Sequence, residues 1–157
     1  MNHMSDAQTL HNQYKTADPL NIRIAFHQKY SLQKEPFSDW LFSHYAFFPG
    51  MRILEIGCGE GRDARFLMEK GYDLLATDIS SAAVEFCRRE LPKFAERFHV
   101  LDCLKDSYSE RFDFIYAVAV IHMLVLDKDR AQFYRFIRNH LSAGGIALIC
   151  SMGDGVT

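Results

Sequence analysis

Between Arg52 and Leu67 the chain reads RILEIGCGEGRDARFL, with Gly57, Gly59 and Gly61 at alternate positions between an apolar run and an amphipathic one. Glycine has no Cβ, so it takes positive φ without strain and lets a ligand touch the main chain. If the run that follows is a helix, its free N–H groups and positive dipole end favour an anionic group at the same spot. Acidic residues recur where apolar runs end: Glu55 before the glycines, Asp78 in LLATDIS and Asp102 in VLDC. Carboxylates so placed can accept from the hydroxyl or amino groups of a ligand, or cap the next helix. His122, just past the longest apolar run, is the candidate base or substrate contact, with a hydrogen-bonded packing histidine as the alternative.

These residues need a scaffold, and the pattern from Arg52 onward supplies one. RILEIGC has strand length and continuous apolar character, and GRDARFLMEKG predicts a helix with Phe66 and Leu67 facing inward and Gly71 as its left-handed end. YDLLATDIS predicts the second strand. SSAAVEFCRRELP predicts a helix capped by Ser80 or Ser81, with Val84, Cys87 and Leu91 at helical spacing and Pro92 as its stop. FHVLDC is the third strand, and FDFIYAVAVI, lacking polar alternation, a fourth that is covered on both faces. A helix over DKDRAQFYRFIRNHL follows, with Phe133, Ile137 and Leu141 inward and SAGG closing it, and GIALICSM is the fifth strand. Strands separated by helices predict a doubly wound, mostly parallel α/β sheet, whose ligands bind beyond the carboxyl ends of the strands near the switch point in strand order.

The first 49 residues are expected to form a helical cover or lid over a core spanning residues 50–152, within one domain of residues 1–157. EPFSDWLFSHY places Phe37, Trp40, Leu41 and His44 along one helical face, and LNIRIAFHQKY reads as a second helix.

Composition narrows the function classes. In 157 residues, 48% are hydrophobic and 24% charged, as in folded domains rather than disordered or membrane chains. A net charge of −2 leaves no basic footprint for a polyanion, and MNHMSDAQTL lacks the features of a secretory signal, so a cytoplasmic location is expected. Cys58, Cys87, Cys103 and Cys150 show no CxxC spacing and read as reduced, mostly buried residues. Seven histidines without ligand spacing predict no metal site, and Asp127 and Asp129 read as helix-start charges.

Two ligand classes use a glycine turn of this kind. The dinucleotide fingerprint is GxGxxG, whereas the spacing here is GxGxG, with Arg62 at the position after the last glycine. The sequence instead resembles the class I, Rossmann-like S-adenosylmethionine (AdoMet)-dependent methyltransferases. Their first motif matches Glu55 through Gly61, their second-strand acid Asp78, and their third-strand acid Asp102, while FDFIYAVAVIHML and LSAGGIALI match the fourth-strand motif and the passage into strand five.

The resemblance implies AdoMet as cofactor, in contact with Glu55, Gly57, Cys58, Gly59, Gly61, Asp78, Ile79, Asp102, Cys103 and Ala117. In this reading the methionine carboxylate accepts from the glycine turn and helix start, Glu55 attracts the ammonium, and Asp78 binds the ribose hydroxyls. Asp102 and the Cys103 N–H take the adenine edge. Arg23 and Tyr30 are further candidates, for pairing a carboxylate and covering the sulfonium, against the alternatives of a surface arginine and a core tyrosine. His122 lies on the expected methyl-transfer face. The stretch AVAVIHML lacks the NPPY-type motif of relatives that methylate adenine or glutamine amides, which shifts the expected acceptor toward a small molecule and away from nucleic acid.

The family sheet ordinarily has two further strands beside the fifth. Their absence predicts a truncated form, a partner protomer in a homodimer over the strand-five edge, or an N-terminal segment wrapped there. The functional expectation is methyl transfer from AdoMet to a small molecule. The alternatives are an AdoMet-binding or regulatory domain without turnover and a nicotinamide-dependent oxidoreductase.

Overall fold

The computed structural model describes residues 36–151. The predicted helix LNIRIAFHQKY, with Arg23 and Tyr30, lies outside them. Five strands form one sheet, β1 (Arg52–Ile56), β2 (Asp73–Asp78), β3 (Phe98–Val100), β4 (Phe112–Val118) and β5 (Leu141–Cys150), in the order β3-β2-β1-β4-β5. Every pairing is parallel. The chain leaves β1 toward β2 and β3, then returns to its other side for β4 and β5. The switch point therefore falls between β1 and β4, directly beneath the glycine turn.

Alternation along the strands separates two apolar layers. Ile53, Leu74, Ala76, Phe114 and Tyr116 face one side, where they pack with Leu41 and Phe42 of α1 (Phe37–Ser43), Leu67 and Met68 of α2 (Arg62–Glu69), and Val84 and Cys87 of α3 (Ser81–Glu90). Leu54, Ile56, Ile115 and Ala117 face the other, against Phe133, Phe136 and Ile137 of α4 (Asp127–His140). Burial on both faces is why β1 and β4 read as unbroken apolar runs. All of Ile53, Leu54, Phe114, Ile115 and Tyr116 are fully enclosed.

The helix signals around α2 and α3 hold with one adjustment, at Pro92. Ser80 is the N-cap of α3, its hydroxyl accepting from the Ala83 N–H at 3.2 Å. Pro92 opens a 3₁₀ turn, Pro92–Arg97, rather than only ending the helix. Gly71, at φ 87°, closes α2 as expected.

In α1 the inward face is one residue away from the expected stripe. Ser38, Leu41 and Phe42 are buried, whereas Phe37 and Trp40 are exposed and His44 lies outside with them. Phe42 meets the Tyr116 ring edge-on at 5.2 Å and stacks on Phe66 at 5.9 Å, so the sheet surface selects Phe42 over Trp40.

The second departure is at α4 and β5. No SAGG loop separates them: α4 ends at His140 and β5 starts at Leu141. Residues 142–145 instead bulge within the strand, between the Phe112–Leu141 and Phe114–Ile146 pairs, with Gly144 at φ 75°. His140, absent from the sequence reading, anchors this junction. Its Nε2 accepts from the Tyr108 N–H at 2.9 Å and its Nδ1 donates to the Phe136 carbonyl at 2.6 Å. The third strand is shorter than FHVLDC, which leaves Asp102 and Cys103 in the turn beyond it.

Candidate functional site

The glycine turn is held by the end of β2. The Thr77 carbonyl accepts from both Gly57 and Cys58 N–H at 2.8 Å, and the Thr77 hydroxyl donates to the Glu55 carbonyl at 2.7 Å. Asp78 Oδ2 accepts from the Gly59 N–H and Oδ1 from the Ser80 N–H, both at 2.9 Å. Asp78 is 7% exposed; burial raises its pKa, and the N–H groups of Ser80, Gly59 and Ile79 oppose that rise. Each carboxylate oxygen keeps a further lone pair for a ligand.

These contacts revise one expectation. The N–H groups of Gly57, Cys58 and Gly59 already donate to β2, and that of Gly61 donates to the Cys58 carbonyl at 2.8 Å. The turn therefore spends most of its donors within the protein. An anion at this end of the site is left with the first turn of α2, where Asp63 already stands.

Two of the glycines are required by space as well as by backbone. Gly57 has φ 80°, and a Cβ there would collide with Val120 Cγ2. At Gly61, φ 78°, a Cβ would lie 3.0 Å from Cys87 Sγ, itself bonded to the Gly59 carbonyl at 3.2 Å. The contact with Cys87, together with burial, holds the Cys58 thiol protonated.

Glu55 lies on the same face of β1 as Ile53 and opposite Tyr116 in the β1–β4 register. It is 3% exposed, and both its Oε2 and the Tyr116 hydroxyl lack a partner at hydrogen-bond geometry. Burial first, then the Asp63 charge, raises the Glu55 pKa well above the usual carboxylate range, and the nearby Tyr116 hydroxyl offsets only part of it. Asp63 in turn accepts a hydrogen bond from the Ser38 hydroxyl of α1. Ser38, Asp63, Thr77, Tyr116 and Val120 escaped the sequence reading. Only Asp63 had a visible signal, its place in the first turn after the glycines.

At the other end, Asp102 spends its side chain locally. Oδ1 accepts from the Leu104 N–H at 2.9 Å and Oδ2 meets Lys105 Nζ at 3.6 Å, so it organises the turn after β3, which leads to β4 and not to a helix that it could cap. Cys103 beside it is buried, and burial first, then Asp102, pushes its thiol up to about 11. Ile79, 45% exposed, presents apolar surface next to Asp78.

The end of β4 completes the rim. Ala117 is buried in the layer against α4. Ala119 takes φ 59°, a conformation that costs a non-glycine residue roughly 1–2 kcal/mol, and its N–H donates to the Cys150 carbonyl at 2.9 Å. That kink sets Val120 against Gly57 and turns His122, in the 3₁₀ turn Ile121–Met123, to the outside. His122 is exposed, which removes the packing alternative and leaves its ring accessible. Two surface depressions among the described residues lie elsewhere, between α2 and the Leu91–Phe94 segment and at the amino ends of the strands.

A parallel sheet in the order 3-2-1-4-5, with a glycine turn at the switch point and an acid closing its second strand, is the Rossmann-like methyltransferase fold. Residues 54–147 match the methyltransferase domain family, and the chain belongs to that family.

Among solved structures, a TehB-like SAM-dependent methyltransferase from Corynebacterium glutamicum is similar, with TM-score 0.67 and 26% identity over 88% of this chain and 73% of that one. Hemagglutinin 1 of Eikenella corrodens is 34% identical over 109 residues, 66% of this chain and 35% of its own. Phosphoethanolamine N-methyltransferase of Triticum aestivum is 32% identical over 107 residues, 64% of this chain and 20% of its own. The chain thus spans about a third or less of the length of these two curated relatives.

The cofactor of this family is AdoMet. The residues present fit it in the chemistry of one group: an enclosed carboxyl oxygen, Glu55 Oε2, stands without a partner at the end of β1.

Proposed function

We propose that this chain is the cofactor-binding core of a methyltransferase that passes the methyl group of AdoMet to a small-molecule acceptor. The observation that carries the reading is Asp78, which grips the glycine turn through Gly59 while each carboxylate oxygen keeps a further lone pair. When bound, AdoMet supplies an electrophilic methyl carbon on a sulfonium.

The chain's own residues bind and orient it. Asp78 accepts from the ribose hydroxyls, Ile79 covers an adenine face, and the Asp102–Cys103 turn lines the adenine edge, with only the lone pairs that Leu104 and Lys105 leave free on Asp102. Glu55 holds the ammonium, and Gly57 and Ala117 are retained as candidates for contact with the ligand. Orientation and desolvation can supply much of the rate in such transfers, since well-aligned groups reach effective molarities of roughly 10⁵ M or more. His122 accepts the acceptor's proton where the nucleophile arrives protonated. Arg23 and Tyr30, outside the described residues, are retained as candidates for the carboxylate and sulfonium ends of the cofactor.

A small acceptor is supported by the missing NPPY-type motif, by the net charge of −2 and by the name of the wheat relative. The test is titration of the chain with S-adenosylhomocysteine (AdoHcy) and, separately, NAD, followed by transfer of labelled methyl from AdoMet to panels of small amines, thiols and RNA. AdoHcy binding with label on a small molecule supports the reading. Label on RNA alone overturns the acceptor class, binding without any transfer leaves a cofactor-holding domain, and NAD binding in place of AdoHcy overturns the whole.

A further inference from the structure

The passage IHMLVL, residues 121–126, follows β4, and every residue in it except His122 is apolar. The switch point lies between β1 and β4, and ligands of such sheets bind beyond the carboxyl ends of the strands there, so the passage stands at the mouth of the crevice. Ile121 is buried, and Leu124 packs against the same layer as α4. Val125 and Leu126 are not covered: they are 55% and 45% exposed.

Two observations set this pair apart from the scattered apolar residues of any surface. Leu126 is the N-cap residue of α4, a position that favours Ser, Thr, Asp or Asn, and no side chain caps the helix there. A leucine that neither caps nor is buried breaks a local rule, and such breaks concentrate at functional positions. The second observation is that the pair is held in place. Arg130 Nη1 donates to the Leu124 carbonyl at 2.6 Å and to the Val125 carbonyl at 2.9 Å, and Nη2 donates to the Asp127 carboxylate. The Leu126 carbonyl accepts from the Asp129 and Arg130 N–H groups at 3.0 and 3.1 Å. Upstream, the Met123 N–H donates to the Val120 carbonyl at 2.9 Å and the Leu124 N–H to the Ile121 carbonyl at 3.1 Å, while Val120 closes on Gly57. Successive bonds thus run from the glycine turn to the apolar pair, with the exposed His122 among them.

We propose, resting on the methyl-transfer reading above, that Val125 and Leu126 are specificity residues that receive an apolar part of the acceptor, and that Arg130 is the positioning residue that holds them outward. The acceptor class is a small molecule that carries a hydrocarbon group beside its nucleophile. Binding that group removes both side chains from water, which is the source of the affinity.

The experiment titrates the AdoHcy-saturated full chain with 1-butanamine, 1-hexanamine and 1-octanamine. Affinity is expected to rise by up to about fourfold for each added methylene, the worth of burying one such group. Leu126→Ser is expected to weaken 1-octanamine about tenfold, with 1-butanamine and AdoHcy little changed. The same substitution supplies a cap, so the melting temperature stays level or rises, which the loss of a packing residue would not allow. Val125→Ser acts alike on the amines. Arg130→Ala flattens the chain-length dependence, and Arg130→Lys, which keeps a donor for the carbonyls, restores part of it. Phe48→Ser, exposed ahead of β1 at the amino end of the sheet, leaves the dependence intact.

Affinity independent of chain length, or no amine binding at all, with AdoHcy bound overturns this inference and leaves the methyl-transfer reading standing. So does a dependence that survives Val125→Ser and Leu126→Ser combined. A lower melting temperature in Leu126→Ser assigns that residue to packing and overturns its role here. No AdoHcy binding to the unaltered chain overturns both readings. Should Arg130→Ala fail to fold, by circular dichroism, Arg130→Lys decides, with a weakened dependence expected and an unaltered one overturning the part given to Arg130.

Discussion

Asp78 Oδ2 accepts the Gly59 N–H at 2.9 Å, so the acid that ends β2 holds the turn that follows β1. Removing the carboxylate in Asp78→Ala leaves two backbone donors, of Gly59 and Ser80, without their acceptor. Each unsatisfied donor costs about 1–3 kcal/mol, so denaturant unfolding is expected to show a loss of a few kcal/mol. AdoHcy affinity is expected to fall tenfold to a hundredfold. An unchanged dissociation constant would remove Asp78 from the cofactor site.

Gly57→Ala combines a backbone penalty with a collision. The φ of 80° costs a residue with a Cβ roughly 1–2 kcal/mol, and overpacking Val120 adds about 1–3 kcal/mol. Val120→Ala in the same chain is expected to recover the second part and not the first. A thermal-denaturation cycle over the four variants measures the split.

Glu55 gives the fold a pH dependence of definite sign. Its pKa is raised in the folded state, above the ordinary 4.5, so the stability it contributes is present below that value and is lost as pH rises through the folded pKa. Asp78, also raised, acts in the same direction above 3.8. The cofactor-free chain is therefore expected to lose stability from mildly acid to neutral pH, and Glu55→Gln to flatten that slope. Urea midpoints of both proteins across that range give the answer; a wild-type slope of the opposite sign would refute the assignment.

Two histidines are expected to separate stability from chemistry. His140 is buried with both ring nitrogens bonded, so His140→Ala exposes the Tyr108 N–H to no partner and should cost about 2–4 kcal/mol, with AdoHcy affinity little changed. His122 is exposed, so His122→Ala should leave stability within about 0.5 kcal/mol. If it serves as the base, that substitution lowers methyl transfer by roughly 10²–10⁴-fold. Urea midpoints and turnover, measured on both variants, test the contrast.

The local content of this protein was written in its sequence. Apolar runs of strand length, amphipathic runs between them, the Ser80 cap and the Gly71 stop depend on side-chain type and period alone, and they define a parallel α/β sheet before any contact is known. The glycine turn and the acid at Asp78 were legible for the same reason, since a turn that bars a Cβ and a carboxylate at a strand end need only near neighbours. What crosses the sheet was not legible. Tyr116 faces Glu55 through the β1–β4 register, Val120 closes on Gly57 through the kink at Ala119, and Ser38 reaches Asp63 from 25 residues away. The inward face of α1 was likewise chosen by the surface it meets, because Phe42 and Trp40 have similar apolar character and only packing against Tyr116 distinguishes them. Residue type and period set the elements; the charge environment of the site arises only when the elements are brought within a few ångströms of each other, where exclusion of water raises the cost of an unpaired carboxylate.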